Sequence, residues 1–248
     1  MSTLLDITLL ADVNVATNFT FFVGCMAMMA ASVFFFFEYG NTDKTWKTSI
    51  LVSGLITFIA AVHYYYMRDS YLKTGESPTF FRYVDWMLTV PLMCVEFYLI
   101  TKKAGAKIEL LWKLIAASVV MLVTGYLGEI SALESKMTGI SNANPTLWGT
   151  ISAIAYFYIV YLIWAGDVKK LAASAGPAVA KTNSMLGWFV LVGWAIYPLG
   201  YLAGTGDGQW YSMFTQLGDI DVFYNIADAI NKIGFGLVIY SLSRKATA

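Results

Sequence analysis

Seven long apolar stretches, separated by short polar segments, organise the chain. They lie at about 18–38, 46–67, 81–101, 108–128, 147–166, 186–205 and 220–243. Each is close to the roughly 20 residues that cross a hydrocarbon core about 30 Å thick. The connections read EYGNTDK, RDSYLKTGESPT, TKKAGAK, GEISALESKMTGISNANP, GDVKKLAASAGPAVAKTNS and GTGDGQW. No internal repeat, low-complexity tract or second domain interrupts the pattern. It predicts an all-α membrane protein, a single seven-transmembrane-helix bundle spanning 1–248.

Composition agrees. The chain is 58% hydrophobic and 13% charged, against about 25% charged in a soluble domain. Zero net charge without a basic run gives no footprint for nucleic acid. Cys25 and Cys94 lie in separate apolar stretches, as core residues rather than a disulfide framework or a metal site. The start, MSTLLDITLLADVN, has neither a basic n-region nor an A-x-A site, so no removable leader is expected.

The basic residues orient the bundle. Lys44, Lys47, Lys102, Lys103, Lys107, Lys169, Lys170, Lys181, Arg244 and Lys245 fall on alternate connections and the C-terminal tail, against only Arg68, Lys73 and Lys136 on the other side. The positive-inside rule places the N-terminus outside and the C-terminus in the cytoplasm, as an odd number of helices requires.

Ionisable residues inside such helices are expensive, so they face the interior and mark function. In the third stretch, positions 82, 85, 89, 93 and 96 share one face at about 100° per residue. Asp85 and Glu96 are 11 residues apart, which puts both carboxyls inward and roughly 16 Å apart along the axis. In the seventh, Asp228 and Lys232 are spaced i, i+4 and meet on one face. Counted from the outer ends, Asp228 and His63 fall near the level of Asp85, with Lys232 a turn deeper and Glu96 deeper still. Each pair alone could be a plain structural ion pair, and His63 alone a satisfied interior histidine; acid, lysine and acid stacked across a membrane are harder to read as glue. A buried lysine is also nucleophilic towards an aldehyde. Trp86, Trp194, Tyr197 and Tyr201, with Pro198 breaking the sixth helix, could wall a flat conjugated ligand, although aromatic stripes more often only pack.

The motifs RYVDWMLTVP…E, WAIYP and NIADAINKIGFG, each on its expected helix, closely resemble those of microbial rhodopsins, specifically the proteorhodopsin family. The resemblance implies all-trans retinal bound to Lys232 as a protonated Schiff base, and a light-driven outward proton pump, an ion transporter and not an enzyme. It gives Asp85, Thr89 and Glu96 as the proton-pump triad: Asp85 as counterion and acceptor, Glu96 as the donor that carries a proton at rest. Asp228 becomes the second counterion, His63 the acceptor's hydrogen-bonding partner, and Arg82 the arginine outward of it.

Met121 and Gly125 join the retinal pocket by the same resemblance. Met93 falls at the colour-switch position, where an apolar residue accompanies green absorption. Gly149 falls where some relatives open a window for a carotenoid antenna, although a small residue for packing is the plainer reading. Glu129 resembles a release-side glutamate or is an interfacial acid. The family further implies a multi-pass protein of the cell (inner or plasma) membrane, forming a homo-oligomer (pentamer or hexamer) in the lipid bilayer without an obligatory transducer. The alternatives are a sensory rhodopsin of the same fold and, from another class, a retinal-free proton-coupled transporter.

Overall fold

The computed structural model describes residues 14–138, 144–205 and 220–245. Within them run α1 (Val15–Asn41), α2 (Lys47–Thr74), α3 (Thr79–Thr101), α4 (Ile108–Thr138), α5 (Pro145–Trp164), α6 (Asp167–Ser174), α7 (Pro177–Trp188), α8 (Ile196–Thr205) and α9 (Ile220–Lys245). Six spans are long and apolar enough to cross a membrane: α1, α2, α3 with its following turn, α4, α5 with α6, and α9. A further rod, the sixth in chain order, is segmented: α7, a π-helical turn over Phe189–Gly193, then α8.

Local chemistry sets several of the ends. Asn14 caps α1 by accepting from the backbone N–H groups of Ala16 and Thr17, and Asn144 caps α5 by accepting from that of Leu147, with Pro145 in the first turn. Both satisfy amides that have no partner within the helix. α2 stops at Gly75, whose φ of 72° suits a residue without a Cβ.

The rods close into a ring in which α1 packs on α2, α2 on α3, α3 on α4, α4 on α5, and α9 on α1 and α2, with α7 filling the place between α5 and α9. The polarity is that of a lipid-embedded bundle. Phe19, Phe37, Trp112, Ile154, Phe157 and Ile230 are exposed on the outside, whereas Asp85, Thr89, Glu96 and Lys232 are at most 2% exposed. An apolar exterior of this extent marks a surface covered by something other than water.

The sequence placed a polar connection at 167–185; it is largely helical. Val168 and Ala172 of α6, and Val179, Thr182 and Leu186 of α7, recur at three to four residues and are buried, while Lys169, Lys170 and Lys181 mask that period in a hydropathy reading. The sixth rod therefore begins at Pro177, not near 186. Likewise α2 and α4 continue past 67 and 128 to Thr74 and Thr138. The GTGDGQW connection lies outside the described residues apart from its first two positions.

The π turn in rod six frees backbone carbonyls, and α5 answers them: the Tyr156 hydroxyl lies 3.1 Å from the Val190 oxygen and 2.8 Å from that of Leu191. Such turns are rare and frequent at functional sites. Here it presents Gly193 flush against the side chain of Asn231, the residue before Lys232.

Candidate functional site

The centre of the bundle is built around Lys232. Its Nζ lies 2.5 Å from Asp85 Oδ2 and 2.6 Å from Asp228 Oδ2, and all three side chains are buried. The Asp228 contact follows from i, i+4 spacing on α9; the Asp85 contact ties α9 to α3. One ammonium between two carboxylates leaves a net negative charge in a dry interior, an arrangement that strict stability does not favour. The Tyr197 hydroxyl, from rod six, donates to Asp228 Oδ1 at 3.0 Å.

Three of the residues named with Asp85 make no hydrogen bond to its carboxylate. Thr89 lies one turn along α3 from Asp85, but its hydroxyl donates to the Asp85 backbone carbonyl at 2.9 Å, not to the carboxylate. His63 reaches the level of Asp85, yet the hydrogen bond expected between them is not formed. Its Nδ1 is 3.9 Å from Asp85 Oδ1 and 2.9 Å from the Ile59 carbonyl, the acceptor one turn back on its own helix. Arg82 does not turn to Asp85 either: Nη2 pairs with Asp221 Oδ1 at 2.5 Å, Nη1 donates to Ser77 Oγ at 3.0 Å, and the guanidinium lies over the Tyr224 ring at 4.8 Å. Asp221 was missed in the sequence, although it stands seven residues before Asp228 and so on the same face of the last helix.

Glu96 stands apart, fully buried, with neither carboxyl oxygen hydrogen-bonded among the described residues. The Ser49 and Ser53 side chains of α2 face it. A carboxylate so placed would be costly, which fits a group kept as the neutral acid. Glu129, at the other end, accepts from Thr79 Oγ1 at 3.3 Å and belongs to the surroundings of Arg82 rather than to the lipid face.

A cavity lies beside the Lys232 cluster. Of the sequence-named residues, Trp86, Met121, Gly125, Gly149, Trp194, Tyr197, Pro198 and Tyr201 line it. Met93 is buried but is not in its wall. Tyr83, Tyr156, Tyr224 and Ser152 also line it; sequence reading missed these. Trp86 and Tyr197 link cavity to charge cluster, their rings 4.6 Å apart.

The space beside Gly149 is filled, as the packing reading has it. The Tyr201 ring lies where a Cβ on Gly149 would come within 2.6 Å of it, its hydroxyl overlaps the Cβ position of Gly128, and that hydroxyl donates to the Pro145 carbonyl at 2.5 Å. Two glycines thus make the slot for one tyrosine. Gly128→Ala is expected to destabilise the protein by about 1–3 kcal/mol through overpacking, seen as a lowered midpoint of thermal loss of helical circular dichroism in detergent.

Comparison with known proteins adds the context. A sequence model of the family described as bacteriorhodopsin-like protein matches residues 15–246. The green-light absorbing proteorhodopsin of Gamma-proteobacterium EBAC31A08 is 42% identical over 243 residues, covering 96% of this chain and 90% of that one. The crystal structure of Exiguobacterium sibiricum rhodopsin superposes with a TM-score of 0.78 at 33% identity, over 93% of this chain and 97% of that one. Xanthorhodopsin, described as a light-driven ion pump with dual chromophore, superposes with a TM-score of 0.76 at 27% identity, over 93% and 92%.

Proposed function

The chain belongs to the bacteriorhodopsin-like family, and from that premise we propose that it is a light-driven proton pump, an ion transporter and not an enzyme, with all-trans retinal joined to Nζ of Lys232. The single observation that carries the reading is the position of that Nζ, within 2.6 Å of two buried carboxylates and next to an aromatic-walled cavity. The residues fit the group: Trp86, Trp194 and Tyr197 supply flat apolar walls, Gly125 adds no side chain to the same cavity, and the carboxylates supply the counter-charge a cationic nitrogen needs out of water.

Bound retinal supplies light absorption and a light-driven change of shape. The chain's own groups do the rest. Asp85 Oδ2, at 2.5 Å from Nζ, is within direct transfer distance and takes its proton. Asp228 remains charged, held by the Tyr197 hydroxyl. Glu96, about 16 Å along α3 on the other side, then returns a proton to Nζ and is refilled from its own end of the bundle. The excess of basic residues at that end supports a cytoplasmic Glu96 side and therefore outward transport, in a cell membrane. Apolar Met93 and the green-absorbing relative support green absorption, and the family resemblance supports a homo-oligomer. A carotenoid antenna at Gly149 would require the Tyr201 ring to leave its slot, so added carotenoid should transfer no excitation to retinal unless that ring moves.

The test is light-induced pH change in cells expressing the chain with added retinal. External acidification in the light, abolished by an uncoupler, is the expected result; a visible band without acidification would replace the pump with a sensor. In the same cells Glu96→Gln should slow the final recovery of the resting absorbance by about 100-fold and leave the first proton transfer at its parental rate. Recovery at an unchanged rate would remove Glu96 from the donor role.

A further inference from the structure

We infer that Asp221 is a positioning residue that holds Arg82 away from Asp85 and thereby leaves the acceptor readier to take a proton. The inference rests on the proposed use of Asp85 as acceptor.

Arg82 precedes Asp85 by three residues on α3, a spacing at which helical side chains meet. A guanidinium beside an acid would be the favourable pairing in a dry interior. The guanidinium goes the other way. Nη2 bonds Asp221 Oδ1 at 2.5 Å and Nη1 bonds Ser77 Oγ at 3.0 Å. Ser77 Oγ in turn donates to the same Asp221 oxygen at 2.9 Å, closing a three-membered ring that spans the α2–α3 connection, α3 and α9. The Tyr224 ring below the guanidinium, at 4.8 Å, fixes its plane. Arg82 and Asp221 are both buried, so the pair is little screened.

Only one oxygen of Asp85 has a cation. Its Oδ2 meets Lys232, but its Oδ1 is buried without a hydrogen-bond partner among the described residues. The charged and titratable groups facing it are Lys232 and Asp228 of α9, His63 and Tyr64 of α2, and Tyr197 of rod six. Those facing Arg82 and Asp221 are Glu129 of α4, Tyr224 of α9 and Tyr64 of α2. Lys232 alone balances two acids at the centre, because the second buried cation is tied to α9 two turns away.

An opposite charge within about 4–6 Å typically moves a carboxyl titration by one to three pH units. The test is therefore a dark pH titration of the visible band in the full chain reconstituted with retinal, the Asp85 step being identified by its loss in Asp85→Asn. Asp221→Asn is expected to lower the midpoint by about one pH unit or more as Arg82 turns to Asp85, and Asp221→Glu to restore it. In an Arg82→Gln background Asp221→Asn should produce no shift. An unmoved or raised midpoint, including one caused by Glu129 capturing the arginine, overturns the inference. So does a shift that persists in Arg82→Gln, which would be the bare charge of Asp221. Should Asp221→Asn form no pigment, Ser77→Ala, which removes only the bridging hydroxyl, must give a smaller downward shift, and no shift overturns the inference. A step that survives in Asp85→Asn defeats the acceptor assignment itself, and with it the proposed function; a step lost there but indifferent to Asp221 defeats the positioning role alone.

Discussion

Replacing Lys232 by alanine is expected to abolish both the visible band formed with all-trans retinal and all light-driven acidification. Among the described residues no other lysine can substitute, because attachment needs an amine inside the bundle and Lys232 is the buried one. The substitution also leaves Asp85 and Asp228 facing each other without their cation. Breaking a buried ion pair by removing one partner costs about 3–5 kcal/mol, so the variant should unfold at a lower temperature than the parent apoprotein. Adding Asp85→Asn to Lys232→Ala removes one of the stranded charges and should recover part of that loss, a non-additive result of the kind that contacting groups give. Absorbance after retinal addition and thermal unfolding of the apoproteins check the two halves separately. A band retained in Lys232→Ala would end the proposed function.

The second large effect is expected from Asp85→Asn. Here the pigment should still form, since Lys232 and Asp228 remain paired at 2.6 Å, but the amide cannot take a proton from Nζ. Light-driven acidification should fall by at least about 100-fold, and the early absorbance change that reports loss of the Nζ proton should vanish with it. Loss of both with the band intact separates the acceptor from a merely structural partner. A variant that pumped at the parental rate would move the acceptor role to Asp228, the other carboxylate in contact with Nζ.

The period of the helix made much of this legible beforehand. Asp85, Glu96, Asp228 and Lys232 were placed inside the bundle by the cost of charge in lipid and by their spacing alone, and the structure brings the first, third and fourth into contact. The cavity's aromatic walls were also marked by position along their helices. What the sequence obscured has physical reasons. The first part of the sixth rod was read as a connection because lysines interrupt its apolar period, although Val179 and Leu186 keep it. Asp221 sits near a helix end, where an acid reads as solvated, and only the partner reaching from α3 reveals its use. His63 was set at the correct depth, but the choice between the Ile59 carbonyl and Asp85 is decided by ring orientation, which no spacing specifies. Gly149 reads as a place for close packing; that Tyr201, 52 positions later, is what packs there depends on how α8 lies against α4 and α5.

The two-acid cluster has an energetic consequence for the transfer itself. With Asp85 and Asp228 ionised and Nζ protonated, the three groups sum to one elementary negative charge. Once the proton has moved to Asp85, Nζ and Asp85 are neutral and Asp228 keeps its charge, so the sum is the same. The bundle therefore never has to solvate a new monopole during the step; only the local dipole turns, along the 2.5 Å line from α9 to α3. Had the lysine been matched to a single carboxylate the sum would also be conserved, but the transfer would leave a wholly neutral site; here the charge of Asp228 stays 2.6 Å from Nζ and favours the return of a proton to it.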